Sequence, residues 1–132
     1  MGNRLDRAKQ AQMTFLFAAL IIAYNIITAW WHSVLIKQGR RIYHGWWATA
    51  YLLLIGILCV VSGSGWLAIF SLLIRKPVFD VALNLFRDLP MFYVSSDPDS
   101  LIDDIHYSLF EKRSEIYLLI YLFTALITLI LL

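Results

Sequence analysis

The fold is decided by residues 45–74, which read GWWATAYLLLIGILCVVSGSGWLAIFSLLI and contain no Asp, Glu, Lys or Arg. About 20 apolar residues in a helix cross a bilayer, and this run exceeds that length. Residues 62–65 are the natural place for a break, but the segment Trp66–Ile74 would make only roughly 14 Å of helix. The sequence therefore predicts one long transmembrane helix over 45–74, kinked near 62–65.

Two further apolar runs without acidic or basic residues lie at 13–36 and 116–132. The first is long enough to span a bilayer, and the second sits at the lower limit of about 17 residues. The predicted fold class is therefore an all-α integral membrane protein with three transmembrane helices. The remaining segments are a cytoplasmic amino-terminal segment (1–12), an outer loop (37–44) and a cytoplasmic amphipathic helical arm (75–115) between the second and third helices.

The composition favours a membrane protein and excludes other classes. Hydrophobic residues make up 61% of the chain and charged residues 15%, with a mean hydropathy of +0.71, whereas a soluble domain is about half apolar and a quarter charged. The net charge of +2 lacks the basic excess of a nucleic-acid-binding protein. A single cysteine, Cys59, allows no intrachain disulfide. The expected partners are membrane lipid and other membrane protein subunits, or a second copy of the chain, and no nucleic acid.

The distribution of Lys and Arg predicts an orientation, because these residues are retained on the cytoplasmic side. With three crossings, residues 1–12 and 75–115 share one side and carry eight Lys and Arg, whereas residues 37–44 carry three. The amino terminus is therefore predicted to be cytoplasmic and the carboxy terminus outside, in an inner or plasma membrane. Four indole rings that flank the outer loop are typical of an interface belt. They are Trp30, Trp31, Trp46 and Trp47.

Each apolar run carries a stripe of small or polar residues at the spacing of a helical seam. The stripes are Thr14, Ala18, Ile21, Asn25, Thr28 and His32 on the first helix, Gly45, Thr49, Leu52, Gly56, Cys59 and Gly63 on the second, and Tyr117, Tyr121, Thr124 and Thr128 on the third. Small residues let helix backbones approach closely, so we interpret the stripes as packing seams within one bundle or between protomers. Asn25 and Thr124 fall at similar depth and are expected to share a hydrogen bond across the second helix.

The same stripes allow a second interpretation, a homo-oligomeric pore or transport protein lined by hydroxyl groups and Asn25. Three helices enclose no lumen, so such a pore needs several copies of the chain. Ion-coupled transporters usually carry ionisable residues inside the membrane, and none of the three predicted spans contains Asp, Glu, Lys or Arg. This absence favours packing over conduction.

Residues 75–115 contain two helix signatures. Residues 77–89 place apolar side chains at helical spacing. A second helix is predicted to begin at Asp97, an N-cap residue followed by proline, and nothing before residue 116 prevents it from continuing into the third span. On that helix Asp99, Asp103 and His106 share one face and are candidate ligands for a divalent cation. One helix supplies too few ligands for a closed site, and a solvated acidic face at a helix start is the alternative.

The sequence does not predict an enzyme. His32 and His44 border the outer loop, but the antiparallel register offsets their imidazoles by about one turn, near 6 Å, which disfavours a haem or metal site. No CxxC, HExxH or P-loop spacing occurs, and Cys59 lies too deep to pair with a histidine. We expect no catalytic residue and no cofactor.

The sequence instead predicts a small, non-enzymatic polytopic membrane protein that acts through intramembrane protein contacts. An accessory, assembly or immunity-type subunit of a membrane complex fits this description. The pore is the first alternative, and a membrane metal-binding protein or enzyme that uses the Asp/His arm is the third interpretation.

Overall fold

The computed structural model describes residues 4–93, 105, 108 and 114–130 of the 132-residue chain. Within these residues every regular element is an α-helix, so the predicted all-α fold is confirmed for this part of the chain. The long helices, numbered in chain order, are α1 (Arg4–Lys37), α2 (His44–Ser62), α3 (Trp66–Phe86) and α4 (Ser114–Ile130).

Helices α1 and α2 run in opposite directions and are joined by residues 38–43. Near the start of α1, the side-chain amide nitrogen of Gln10 donates a hydrogen bond to the carbonyl of Ser62 at the end of α2 (3.3 Å). Near the other end, the ring centroids of His32 and His44 are 6.1 Å apart. The first turn of α2 therefore lies beside the last turns of α1, as in a helical hairpin.

Helix α3 runs antiparallel to α2 and parallel to α1. Arg75 of α3 hydrogen-bonds Asn25 in the middle of α1, and further along both helices the ring of Phe79 lies 5.2 Å from the ring of His32. Residues of α3 thus follow those of α1 in the same order. The middle of α3 lies level with the middle of the apolar run of α1.

Helix α4 packs along α3 in the opposite direction. The ring of Tyr117, near the start of α4, lies 5.9 Å from the Lys76 ammonium in the middle of α3. Further along α4, Ala125 belongs to the same core cluster as Leu67 and Phe70, near the start of α3. Among the described residues the backbone of α4 approaches only α3, so α3 lies between α1 and α4.

The predicted single helix over 45–74 is wrong, because the chain reverses direction at residues 63–65. Gly63 has a left-handed backbone (φ +66°) and ends α2, with its N–H donating to the carbonyl of Cys59 (2.9 Å). Glycine adopts this conformation without the steric cost that a Cβ brings. The N–H of Ser64 then bonds the side-chain oxygen of Ser62 (3.2 Å), and a new helix begins at Trp66.

The new helix also passes the point where the sequence predicts the membrane segment to end. It continues through Arg75, Lys76 and the buried Pro77 as far as Phe86. Proline removes one backbone hydrogen bond from a helix interior, but the helix is not broken here. Residues 75–86 therefore belong to the bundle as part of α3, and the predicted boundary between a membrane helix ending at residue 74 and an arm beginning at residue 75 is wrong.

The remaining boundaries differ less. α1 begins at Arg4, nine residues before the predicted span at 13–36, so most of the predicted amino-terminal segment is helical. α4 agrees with the predicted span at 116–132 apart from its ends. The predicted arm helix starting at Asp97, and its continuity with α4, lie outside the described residues, apart from Ile105 and Ser108, which are helical.

An apolar cluster to which all four helices contribute forms the core. Its buried members are Ala18, Ile21, Tyr51, Ile55, Leu58, Leu67, Phe70, Ile74 and Ala125. Helix α2 joins this core through one narrow face, because its neighbouring aliphatic residues Leu53, Ile57 and Val60 are exposed. The bundle therefore presents a large apolar surface.

Two helical segments are long and apolar enough to cross a membrane: Ala8–Lys37 and His44–Ser62, each with a mean hydropathy of 1.8 over its best window. Residues 115–130 form a shorter apolar helix. Helix α3 carries Arg75, Lys76 and Asp80 in its interior, and length and composition alone do not identify it as a span.

The left-handed turn gives a first prediction. Gly63→Ala should lower the free energy of unfolding by about 1–2 kcal/mol, since an L-residue is strained in that conformation. A Cβ there meets no atom closer than 3.9 Å, so the loss comes from the backbone. The loss is measured by reversible unfolding in mixed detergent micelles.

Gly56→Ala is the matched control for this substitution. Gly56 is helical and a Cβ there meets nothing within 4 Å, so alanine should raise stability by up to about 1 kcal/mol. If Gly63→Ala and Gly56→Ala change the free energy of unfolding equally, Gly63 does not have a left-handed backbone that disfavours alanine.

Candidate functional site

The most unusual feature of the interior is a group of polar residues shared by three helices. This group, called here the Arg75 cluster, consists of Asn25 on α1, Tyr51 on α2, and Ser71 and Arg75 on α3. The side chains of Asn25 and Ser71 are completely buried and Tyr51 is 2% exposed, while Arg75 is partly buried. Buried polar groups are costly unless hydrogen-bonded, so their partners decide what the cluster can do.

The neutral members of the cluster bond one another and the backbone. The Asn25 amide nitrogen donates to the carbonyl of Ile21 (2.8 Å) and to the Tyr51 hydroxyl oxygen (3.3 Å). The Tyr51 hydroxyl in turn donates to the carbonyl of Ser71 (2.6 Å). These bonds join α1, α2 and α3 at one level of the bundle.

Arg75 completes the cluster as its cation. One guanidinium nitrogen, Nη1, donates to the Asn25 side-chain oxygen (3.3 Å). The central carbon lies 4.4 Å from the ring centroid of Tyr51 and 5.3 Å from that of Phe79, which are cation–π distances. In the part of the chain that the structure describes, no carboxylate forms an ion pair with Arg75.

The neighbouring cation is neutralised differently. The Lys76 ammonium lies 2.6 Å from a carboxylate oxygen of Asp80, one turn later on α3. Both side chains are largely buried, and the Tyr117 ring of α4 lies beside the ammonium. Because Lys76 has its own acid, the charge of Asp80 is not available to balance Arg75.

Sequence reasoning missed Arg75 as a site residue. The uncharged run ends at Ile74, so the sequence assigns Arg75 to the arm at 75–115. Two signals in the sequence oppose that interpretation. The glycine-rich stretch at 62–65 favours a reversal, and the pair Lys76 and Asp80 has the i, i+4 spacing of a helical ion pair.

His32 forms a second, smaller feature near the loop end of the bundle. Its side chain is 1% exposed, and neither ring nitrogen has a hydrogen-bond partner among the described residues. The rings of His44, Trp47 and Phe79 surround it at centroid distances of 6.1, 5.1 and 5.2 Å, all close to perpendicular. His32 therefore packs as an aromatic ring among aromatic rings.

A metal centre receives no support from the described residues. They contain no group of three or more His, Cys, Asp and Glu side chains that could hold a metal ion. The candidate ligands Asp99, Asp103 and His106 lie outside them. The described interior offers polar and cationic groups and no set of ligands for a metal.

The predicted stripe of α1 faces the interior along its whole length. Its six members are buried, and Thr14 and Thr28 donate to carbonyls of their own helix (2.9 and 2.8 Å). The expected bond between Asn25 and Thr124 is absent from the described structure, because α3 lies between α1 and α4. Asn25 bonds within the Arg75 cluster instead, and Thr124 donates to the carbonyl of Ile120 in its own helix.

The predicted stripe of α2 faces outward in the single chain. Gly45, Thr49, Leu52, Gly56 and Gly63 are exposed and Cys59 is partly exposed. The larger residues Tyr51, Ile55 and Leu58 form the seam toward the bundle. As a packing seam within one chain this stripe was predicted wrongly, since large side chains fill the space beside α1 and α3.

The last stripe and the indole rings show mixed exposure. On α4, Tyr117 and Thr128 are buried, and Tyr121 and Thr124 are partly buried. Of the four tryptophans in the predicted belt, Trp30, Trp31 and Trp46 are exposed. Trp47 is partly buried against His32. The exposed rings lie at the ends of α1 and α2 that flank the loop at 38–43.

Comparison with known proteins gives no relative from which a function can be transferred. No protein-family model matches the chain, and no curated protein and no solved structure is significantly similar to it.

The Arg75 cluster gives a second prediction. Asn25→Leu should destabilise the protein by about 1–3 kcal/mol, because it removes the acceptor of the Arg75 guanidinium and leaves a partly buried donor unsatisfied. Combining Asn25→Leu with Arg75→Leu should cost clearly less than the sum of the two single changes, by at least about 0.5 kcal/mol. Reversible unfolding of the four proteins measures this coupling.

Thr28→Val is the control for the coupling. The Thr28 hydroxyl lies on the same face of α1 and bonds only carbonyls of its own helix, so its effect should add to that of Arg75→Leu. If the destabilisation by Asn25→Leu also adds to that by Arg75→Leu, the two residues do not interact.

Proposed function

We propose that the chain is an integral membrane protein with four membrane-crossing helices that acts without catalysis, through contacts with another membrane protein. It would serve as an accessory, assembly or immunity-type subunit of a membrane complex. The observation that carries the proposal is the outward-facing small-residue stripe of α2.

Membrane insertion is supported by where the apolar side chains lie. In the apolar windows of Ala8–Lys37 and His44–Ser62, only 33% and 22% of the residues are buried. The core helix of a soluble protein would be mostly buried, and exposed apolar patches of this size are rare on soluble monomers. Val60, for example, is 83% exposed. Lipid is the environment that suits this surface.

A crossing by α3 is supported by the arrangement of its charges. Ionisable residues within membranes face the bundle interior and pair with one another or with polar groups. Arg75 reaches Asn25 and Tyr51 in the interior, and Lys76 pairs with Asp80. The exposed side of the first half of α3 carries the apolar residues Ile69 and Leu72.

Four crossings change the proposed orientation. Residues 37–43 and 87–113 then share one side and carry six Lys and Arg, against three in residues 4–9 on the other side. The positive-inside rule therefore favours cytoplasmic loops at 38–43 and 87–113, with the start of α1 outside. This proposal reverses the orientation that follows from three crossings.

The number of crossings gives a third prediction. In a Cys59→Ser background, single cysteines at Gln38 and Ser95 should react with a membrane-impermeant maleimide from the same side of the membrane, and one at Ala8 from the opposite side. Oriented vesicles provide the measurement. Three crossings instead require Ala8 and Ser95 to share a side, so that result would refute the four-helix topology.

The stripe on α2 supports contact with a partner helix. Gly45, Thr49, Gly56 and Cys59 follow one side of the helix, and an added Cβ at Gly56 meets no atom of the described residues within 4 Å. Small residues allow the backbone of a second transmembrane helix to approach closely, where packing and backbone contacts stabilise the pair. The helix of a partner protein is the proposed occupant.

The alternative of a pore lined by Asn25 and hydroxyl groups has less support. The α1 stripe that would line it is buried inside the chain, and its hydroxyls bond backbone carbonyls. An oligomer could still form through α2, but Asn25 would not face its centre.

The proposed contact gives a fourth prediction. Gly56→Leu should reduce assembly with the native partner about tenfold or more, equivalent to roughly 1.4 kcal/mol, because the larger side chain blocks close approach. The unfolding free energy of the isolated chain should not fall, since that side of Gly56 is empty. Particle mass in nanodiscs, with mass spectrometry of the subunits, measures the assembly.

Ala50→Leu is the matched control. Ala50 is exposed on α2 outside the stripe, so the same gain in side-chain volume there should leave assembly unchanged. Equal yields of complex from Gly56→Leu and wild type would refute the role of the stripe. If the complex contains only copies of this chain, the partner of the stripe is a second copy of the chain and not a different protein.

A further inference from the structure

We propose that the partly exposed Arg75 binds a carboxylate group at the middle level of the helical bundle. The site lies on α3 and faces α1 and the inner side of α2, so it goes beyond the contact proposed for the outer stripe of α2. Its occupant is a monocarboxylate attached to an apolar body.

The first argument is the number of hydrogen-bond donors that lack an acceptor. A guanidinium has five N–H donors and no acceptor, and the described residues supply one acceptor for Arg75, the Asn25 side-chain oxygen. Close to the cluster, the Tyr24 hydroxyl is buried and has no hydrogen-bond partner in the described part of the chain, and its ring stacks on that of Tyr51 at 5.6 Å. Asn25 alone therefore leaves most of the donor capacity unused.

The second argument is charge. Arg75 is partly buried and has no ion-pair partner among the described residues, where Asp80 is paired with Lys76. A cation that is partly removed from water in apolar surroundings is stabilised by an opposite charge. A bound monoanion supplies the missing charge and the missing acceptors together.

The third argument concerns the shape of the ligand. The rings of Tyr51 and Phe79 lie at cation–π distances from the guanidinium, 4.4 and 5.3 Å from its central carbon. The edge of the guanidinium is the part that forms paired, in-plane hydrogen bonds, and it matches the fork of a carboxylate. The aromatic surroundings suit a ligand whose remaining part is apolar.

The choice of ligand rests on the membrane crossing of α3 proposed above, which places the site too deep for a lipid phosphate. Asn25 is the central residue of the apolar run at 13–36, so Arg75 lies about 15–18 Å along the helix from either end of that run. Phosphate head groups remain at the membrane surface. Two sources of a carboxylate can reach this depth: a free hydrophobic carboxylate, and a Glu or Asp side chain in the middle of a partner helix.

The experiment uses the purified full chain in nanodiscs of neutral phosphatidylcholine and two pairs of probes. Benzoate is compared with benzamide, and a Leu-rich spanning peptide with one central Glu is compared with the same peptide carrying Gln. The shift of the thermal unfolding midpoint is measured against probe concentration. A saturable rise with a carboxylate probe, without a rise for its neutral counterpart, is the expected result.

The variants assign the binding to Arg75. Arg75→Gln should weaken carboxylate binding about 10- to 100-fold, the range expected for losing hydrogen bonds to a charged group. Arg75→Lys keeps the charge without the fork, and it should fold and bind at intermediate strength. Arg41→Gln, in the exposed loop, and Gly56→Leu, on the outer stripe of α2, should bind like wild type.

Each outcome has a defined meaning. Binding of benzoate supports the site with a free carboxylate as its source, and binding of the Glu peptide supports it with a partner helix as its source. Equal binding of the neutral probes, undiminished binding by both Arg75 variants, or no saturable binding of either carboxylate would overturn the proposal. Gly56→Leu leaves Arg75 unchanged, so the two proposals fail separately. A failure of carboxylate binding at Arg75 does not refute the partner contact of α2, and a failure of that contact does not refute the carboxylate site.

Discussion

The rest of the structure depends on how the bundle accommodates Arg75. A cation in the middle of an apolar helix is costly unless polar groups compensate for its lost hydration. The bundle supplies the Asn25 amide oxygen and the ring faces of Tyr51 and Phe79. With these partners α3 can continue past Arg75 and pack along α1. Without them the helix would be expected to end there, as the sequence alone suggests.

The turn at Gly63 and the Arg75 cluster depend on each other. After the reversal at Gly63, α3 has nine uncharged residues, Trp66–Ile74, before Arg75, too few to span a bilayer. The helical hairpin of α2 and α3 therefore has two full-length arms only if Arg75 lies inside the bundle. Tyr51 connects both features, because it belongs to α2 and bonds the backbone of α3 at Ser71.

The sequence predicted those features that follow from local spacing. The stripe on α1 lies on the face that the structure buries, because polar and small residues at intervals of three and four necessarily share one side of a helix. The number of helices was not predictable in this way. A charged residue such as Arg75 usually indicates the end of a membrane segment. Whether Arg75 can instead lie within the bundle depends on Asn25 and Tyr51, which are 50 and 24 positions away in the sequence.

The spacing of residues within α2 also does not predict whether its small-residue stripe faces the rest of the chain. Gly56 and Tyr51 lie on different sides of the same helix, and the sequence does not say which side faces the rest of the chain. The structure buries the side with Tyr51, because a large ring fills the gap between α2 and α3 and its hydroxyl bonds Ser71. The small residues then remain on the exposed side of α2.

The proposed four-helix topology requires α3 to cross the membrane with Arg75 near its middle. Leu72 is exposed on the outer surface of α3 one turn before Arg75, and Ile26 is exposed on α1 next to Asn25, so spin labels at these two positions report depth directly. Because of this crossing, we expect both labels to be highly accessible to molecular oxygen in bilayers and inaccessible to a water-soluble nickel chelate. A label at Leu72 that is relaxed by the nickel chelate, while the label at Ile26 is not, would contradict it.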